Sequence, residues 1–158
     1  NKFQPNNYEV REYAFPIWKH IFLTLRNIVR QAVSWWKAIV TEEWHRESGK
    51  VRPYSASEIK DRYDFDAIKH LFTEANFLEN RTQDFFNEGD IAPLTIVYED
   101  FTKEYEATVR KIVSFLGITE TSYSVAETHY QLLADEVSDE WTERFRREIQ
   151  KDWHKKIW

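Results

Sequence analysis

Two residues of this sequence, Arg26 and Ser34, could together bind a phosphate group. A guanidinium presents a fixed fork of N–H donors that suits phosphate oxygens, and a serine hydroxyl can donate to another oxygen of the same group. Arg26 directly follows a short apolar run, and Ser34 comes eight residues later. Because an arginine at such a place is more often a surface charge or a member of a structural ion pair, the spacing alone leaves both interpretations open.

The segments around these residues indicate a strand, a tight turn and a helix. Ile21, Phe22, Leu23 and Leu25 predict a strand over about 20–25, buried on both faces in a parallel sheet. From Ile28, apolar residues recur at three- and four-residue steps and predict a helix into the 40s. Since ligands bind at the carboxyl ends of the strands in open α/β sheets, Arg26 would lie at the ligand edge and Ser34 on the helix that runs back from it.

Further along the chain, the pattern predicts one more strand and three more helices. Residues 46–64 are predicted to be a loop. The later elements are expected as a helix from about 64–66 to 87, a strand over Leu94–Tyr98, a helix over about 103–116 that Gly117 ends, and a helix that begins at Ser138. The acids Glu99 and Asp100 invite an acid–base or metal interpretation. The structural one is preferred, with Asp100 as the cap of the next helix.

Composition bounds the class of protein. The 158 residues suit one domain over 1–158, and 42% hydrophobic residues with seven tryptophans are typical of a globular chain. A net charge of −5 argues against nucleic acid and anionic membranes as main partners. No apolar run could span a bilayer and no signal peptide is visible, so we expect a cytoplasmic location. The absence of cysteine excludes disulfides and thiolate metal sites, and His45 beside Glu42 and Glu43 lacks metal-site spacing.

Three blocks of this sequence resemble one family. They are Arg26-Asn27 with Ser34 in RQAVSWWKA, followed by Trp44-His45; YEDFTKEYEATVRKIVSFLGI, from Tyr98 to Ile118; and LADEVSDEWTERFRREI near the carboxyl end. In that order they resemble sulfotransferases that use 3′-phosphoadenosine-5′-phosphosulfate (PAPS). The residues of these blocks are most similar to the bacterial branch of trehalose 2-sulfotransferase-like enzymes. The blocks span most of residues 15–149.

The resemblance implies a fold, an activity and site residues. The fold would be α/β, a parallel sheet flanked by helices in a P-loop nucleotide-binding architecture. The activity would be transfer of a sulfuryl group from PAPS to a hydroxyl acceptor, a carbohydrate or glycolipid, without a metal. Arg26 and Ser34 would bind the 3′-phosphate of the nucleotide. Trp44 and residues 46–64 would lie on the acceptor side, although a core or lid tryptophan is an equal alternative.

Two parts of the family pattern have no counterpart in this sequence. Neither the 5′-phosphosulfate loop nor the acidic base of the bacterial branch finds a matching position, and none of the three glycines belongs to a GxxxxGK[ST] segment. We therefore expect this chain to be the carboxyl-terminal portion of a larger sulfotransferase, incomplete at the N-terminus, and we assign no catalytic residue. The alternatives are a non-catalytic sulfotransferase-like interaction domain and an aromatic-rich sugar-binding module.

Overall fold

The computed structural model describes residues 18–118, 124–129 and 131–158, which contain two strands, each followed by three helices. The elements are β1 (Ile21–Thr24), α1 (Ile28–Thr41), α2 (Ala56–Lys60), α3 (Phe65–Glu88), β2 (Leu94–Val97), α4 (Tyr98–Phe101), α5 (Tyr105–Leu116) and α6 (Glu136–Ile149). The predicted α/β class is confirmed. Within the described ranges, no helix combines the length and the apolar character that crossing a bilayer requires.

The chain divides into two compact units. The first contains the described residues 18–24, 86–118 and 124–125, and the second contains 25–85, 126–129 and 131–158. Both strands belong to the first unit. Arg26, Ser34 and Trp44 belong to the second, so the predicted site residues share one unit.

The sheet of the first unit is parallel, as predicted. Among the described residues it consists of β1 and β2, with Ile21 opposite Leu94 and Thr24 opposite Val97. Phe22 packs edge-to-face on Phe86, with 5.4 Å between the ring centroids. The prediction that β1 is buried on both faces is wrong, since Ile21 and Leu23 are 40% and 53% exposed. Successive strand side chains point to opposite faces, and the half-buried face is the one that carries Phe22.

Helices α4 and α5 follow β2 in the first unit. The prediction that Asp100 caps the next helix is wrong, because β2 passes directly into α4 and Asp100 lies inside that helix. Its main-chain carbonyl accepts a hydrogen bond from Glu104 N at 2.9 Å. Gly117 ends α5 as predicted, with φ at +76°, a left-handed conformation that suits a residue without Cβ.

The core of the second unit is built from α1, α6 and the first half of α3. Its largest members, Trp141 and Phe145 on α6, have no exposed surface. Phe145 lies against the rings of Phe65 and Phe72, with centroid distances of 5.5 and 5.7 Å. Fully burying one such side chain contributes about 1.5–3 kcal/mol. The buried aliphatic residues around them are Val29, Ala32, Val33, Ile59, Ile68, Leu71 and Val137.

The apolar stripe predicted along α3 is present but is buried only in its first half. Ile68, Leu71 and Ala75 are buried, whereas Leu78 and Phe85 are 55% and 37% exposed. With 24 residues, α3 is about 36 Å long, while α1 and α6, with 14 residues each, span only about 21 Å. The second half of α3 therefore extends past the core.

The prediction that residues 46–64 form a loop is wrong for α2, which lies within this range. Ser55 and Glu58 form a capping box, in which Ser55 Oγ accepts from Glu58 N at 3.3 Å and the Glu58 carboxylate accepts from Ser55 N at 2.5 Å. Ile59 is 4% exposed and anchors this short helix in the core. Five residues are too few to show the periodic apolar pattern from which the longer helices were predicted, and the same holds for the four residues of α4.

Candidate functional site

The two predicted phosphate ligands lie just before α1 and in the middle of it. Arg26 stands two residues before the first residue of α1, and Ser34 is the seventh residue of that helix, about 9 Å along its axis from Ile28. Both residues are exposed. The core side of α1 is formed by Val29, Ala32 and Val33. Sequence and structure thus place a guanidinium and a hydroxyl where a ligand from solvent could reach them.

The N-terminus of α1 is capped and carries no acidic side chain in its first turn. Asn27 caps the helix, since its Oδ1 accepts from Arg30 N at 3.1 Å. The first turn contains no acidic residue, and it carries Arg30, whose guanidinium donates to the Asp139 carboxylate of α6. Because the N-terminus of a helix carries partial positive charge of its own, a bound anion would meet no opposing carboxylate from this turn.

On the buried side of α1, Lys37 forms an ion pair with Asp135. Lys37 is 4% exposed, and its Nζ lies 2.6 Å from Asp135 Oδ2. The same ammonium donates to the Leu133 carbonyl at 2.8 Å and to Ser138 Oγ at 3.2 Å. A buried charge requires such partners. The pair therefore fixes α1 to the segment that begins α6.

Asp135 also caps α6. Its Oδ1 accepts from Ser138 N at 3.0 Å and from Ser138 Oγ at 2.9 Å, so α6 begins at Glu136. The prediction that this helix begins at Ser138 is therefore wrong. Burial opposes ionisation of Asp135, but hydrogen bonds from Lys37 and Ser138 outweigh it and lower the pKa of the carboxyl below its ordinary value. A carboxylate held in this way is a structural anion and a weak base.

Arg52 connects the region after α1 to the same carboxylate. Its guanidinium lies 2.8 Å from Asp135 Oδ2 and 5.8 Å from the centroid of the Tyr54 ring. Main-chain hydrogen bonds also hold the start of this region: Ser48 N donates to the His129 carbonyl at 2.6 Å, and Gln131 N donates to the Arg46 carbonyl at 2.9 Å. Residues 46–52 are thus anchored to the segment that precedes α6.

A second polar cluster lies beyond the carboxyl end of α1. Arg46 donates to both carboxylate oxygens of Glu43 at 2.5–2.6 Å, and the Tyr54 hydroxyl donates to Glu43 Oε2 at 2.7 Å. The hydrogen bond from Arg46 lowers the pKa of Glu43. Burial, together with the hydrogen bond to Glu43, raises the pKa of Tyr54 to about 12. The phenol therefore remains a donor at neutral pH, while Glu43 and Arg46 are both ionised.

Trp44 lies directly beside this cluster and points its side chain outward. It is 61% exposed, which excludes the alternative of a core tryptophan. Because α1 spans about 21 Å, Trp44 lies past the opposite end of the helix from Arg26. The structure therefore does not bring Trp44 next to the predicted phosphate ligands.

No set of three or more histidine, cysteine or acidic side chains is arranged to hold a metal in the described parts of the chain. His45, which the sequence places beside Glu42 and Glu43, is exposed.

Sequence reasoning missed Lys37, Asp135 and the cluster of Glu43, Arg46 and Tyr54. One signal was present for Lys37, which follows Val33 by four residues and so shares the apolar side of α1. A cation on that side needs a buried anion, although the sequence does not say which. For Asp135, the signal was an aspartate three residues before a serine at the start of an apolar helical pattern.

A family model and two curated relatives that match this chain point to the same protein family. A family model described as Stf0 sulphotransferase matches residues 5–148. A trehalose 2-sulfotransferase from Mycolicibacterium smegmatis is 29% identical over 126 residues, which are 80% of this chain and 45% of the relative. A trehalose 2-sulfotransferase from Mycobacterium tuberculosis is 28% identical over 133 residues, which are 84% of this chain and 46% of the relative. The chain thus spans about half the length of the curated relatives it matches.

Proposed function

Because the chain belongs to the Stf0 sulphotransferase family, we propose that it binds the nucleotide PAPS and that the protein transfers the sulfuryl group to a hydroxyl of a carbohydrate. The observation that carries the proposal is that Arg26, which precedes α1, and Ser34, in the middle of α1, are both exposed. A carbohydrate acceptor is supported by the names of the two relatives, both trehalose 2-sulfotransferases. The P-loop architecture and the carboxyl-terminal position of this chain in a larger enzyme are parts of the same proposal.

In this proposal Arg26 and Ser34 bind and position the nucleotide. Arg26 offers a planar fork to two oxygens of the 3′-phosphate, and Ser34 donates one further hydrogen bond. PAPS supplies a sulfuryl group on a phosphate leaving group when it is bound. Reactions of this kind depend mainly on alignment and on electrostatic stabilisation. The two residues act by fixing the nucleotide at its far end, away from the reacting sulfur.

The chemistry of Arg26 and Ser34 suits a dianionic group such as the 3′-phosphate. Both proposed ligands are donors, and the buried carboxylate that contacts α1, Asp135, is already neutralised by Lys37 and Arg52. We assign no catalytic base, since no residue of this chain matches the family's acidic base.

Thermal melts test the nucleotide assignment. A ligand that binds the folded state at 100 times its Kd stabilises that state by about 2.7 kcal/mol, which corresponds to a rise in Tm of roughly 5–10 °C for a chain of this size. We expect such a rise with 3′-phosphoadenosine-5′-phosphate and a smaller one with adenosine-5′-phosphate, which lacks the 3′-phosphate. Equal shifts with the two nucleotides would remove the 3′-phosphate assignment. A shift with trehalose and none with either nucleotide would favour a sugar-binding module.

Trp44 is proposed to stack on the acceptor. Its exposed indole stands on a backbone that the hydrogen bonds of Glu43 hold in place, and stacked aromatic contacts are worth about 0.5–1.5 kcal/mol beyond area burial. We expect Trp44→Ala to raise the Michaelis constant for the acceptor by roughly 3- to 10-fold and to leave that for PAPS unchanged. The free energy of unfolding should change by no more than about 0.5 kcal/mol, because the side chain is exposed.

Trp153→Ala is the matched control, because Trp153 is also exposed, at 44%, and lies outside the proposed acceptor region. It should leave both Michaelis constants unchanged. If Trp44→Ala raised both constants equally, or unfolded the protein, the acceptor assignment of Trp44 would be wrong.

A further inference from the structure

We propose that Arg30 is a third ligand of the nucleotide 3′-phosphate and that Asp139 holds its guanidinium until the nucleotide binds. This inference rests on the proposed function, since it adds a residue to the site of Arg26 and Ser34. Sequence reasoning did not single out Arg30.

The register of α1 brings Arg30 and Ser34 together. Residues four apart on a helix lie one above the other, with about 5–6 Å between their Cβ atoms. Arg30 is the third residue of α1 and Ser34 the seventh, and both are exposed. Because helical side chains lean toward the N-terminus, the Ser34 hydroxyl is directed toward the turn that carries Arg30. A phosphate that accepts from Ser34 therefore lies within reach of the long side chain of Arg30.

The present partner of Arg30 is a carboxylate that can be exchanged for a phosphate. The Arg30 guanidinium donates to Asp139 Oδ1, and the two side chains are 44% and 61% exposed. Exposed pairs of this kind contribute little to stability. Asp139 lies in the first turn of α6, where the helix macrodipole stabilises a carboxylate without help from Arg30. Neither group depends on the other, so a dianion can take the place of Asp139.

The other cation on α1 cannot serve in this way. The Lys37 ammonium is buried and bound by Asp135, the Leu133 carbonyl and Ser138, and its release would leave an unpaired charge in the core. The difference in burial between the two ion pairs separates a structural cation, Lys37, from one that is available to a ligand, Arg30.

Calorimetric titration with 3′-phosphoadenosine-5′-phosphate tests the proposal through two variants that should act in opposite directions. We expect Arg30→Ala to weaken binding by roughly 10-fold, because a hydrogen bond to a charged group is lost. We expect Asp139→Asn to strengthen binding by about two- to fivefold, because it frees Arg30 and removes a negative charge near the phosphate. Neither variant should change the affinity for adenosine-5′-phosphate by more than about twofold, since that ligand lacks the group concerned.

Arg110→Ala is the matched control, because Arg110 is also an exposed arginine paired with a helical carboxylate, Glu106, at 2.6 Å. It removes the same charge and should leave nucleotide affinity unchanged. If the pair of Arg30 and Asp139 only links α1 to α6, both variants will lower Tm alike and leave affinity for the 3′-phosphorylated nucleotide unchanged, which would overturn the inference. Binding that depends on Arg26 but not on Arg30 overturns this inference alone, whereas binding that depends on neither overturns the proposed function.

Discussion

Arg26→Ala is expected to weaken binding of 3′-phosphoadenosine-5′-phosphate by roughly 10- to 150-fold. The range follows from the value of a hydrogen bond to a charged group, about 1.5–3 kcal/mol, with each 1.4 kcal/mol equal to a factor of ten. The protein should remain folded, because Arg26 is exposed and precedes the helix whose other side forms the core. Calorimetric titration measures the loss.

Two further variants fix the order of effects at the same site. Arg26→Lys should recover only part of the affinity, because an ammonium keeps the charge but loses the planar fork. Ser34→Ala should cost about 1 kcal/mol, since a neutral hydroxyl donates one bond that water can replace. The expected order from worst to mildest is Arg26→Ala, Arg26→Lys, Ser34→Ala. Arg110→Ala is the control and should bind the nucleotide like wild type. If Arg26→Ala also binds like wild type, the segment around Arg26 and Ser34 is only a turn and a helix and does not bind the phosphate.

Asp135→Ala should destabilise the protein by about 3–5 kcal/mol, the usual cost of removing one partner of a buried ion pair. The change leaves the Lys37 ammonium buried without its carboxylate, frees Arg52 and removes the cap of α6. For a chain of this length the corresponding fall in Tm is roughly 6–20 °C. Urea titration and thermal melting measure it.

Asp139→Ala is the control for this variant. Asp139 lies on the same helix and is also paired with an arginine, but the pair is exposed. Exposed pairs contribute about 0–1 kcal/mol, so this variant should remain within that range. Equal losses from the two substitutions would show that the buried pair adds nothing beyond an ordinary surface contact.

The Asp135 carboxylate also predicts how the free energy of unfolding depends on pH. The pKa of Asp135 is lowered in the folded state, so the folded protein binds fewer protons than the unfolded chain between the lowered value and the ordinary value near 3.9. The stabilisation is complete above the ordinary pKa and is lost as pH falls through the folded one. Asp135→Asn should therefore lose less stability than wild type as the pH falls below about 4. Equal losses in the two proteins would contradict this.

The spacing of apolar residues predicted the strands and helices whose pattern is visible in the local sequence. The change from a continuous apolar run to three- and four-residue steps fixed the boundary between β1 and α1, and α1 begins at Ile28 as predicted. Gly117 could be predicted as the end of α5 because a helix often ends at a residue in the left-handed conformation, which glycine adopts most easily. These features depend on neighbours in sequence, which is why spacing alone could identify them.

The missed features depend on residues that are distant in sequence. Lys37 and Asp135 belong to different helical segments, and only their packing in one core shows that they neutralise each other. Glu43, beside the exposed Trp44, accepts hydrogen bonds from Arg46 and Tyr54, and no apolar periodicity in the sequence marks this cluster. The exposed second half of α3 carries the same apolar pattern as the buried first half, so the pattern could not show where the core ends.

The most direct test of the 3′-phosphate site compares two nucleotides in two proteins. Wild type and Arg26→Ala are each titrated calorimetrically with 3′-phosphoadenosine-5′-phosphate and with adenosine-5′-phosphate, and the ratio of the two Kd values is taken for each protein. We predict that wild type prefers the 3′-phosphorylated nucleotide by at least about tenfold and that Arg26→Ala reduces this preference by about tenfold or more. No preference in wild type, or the same preference in both proteins, would contradict the assignment of Arg26 to the 3′-phosphate.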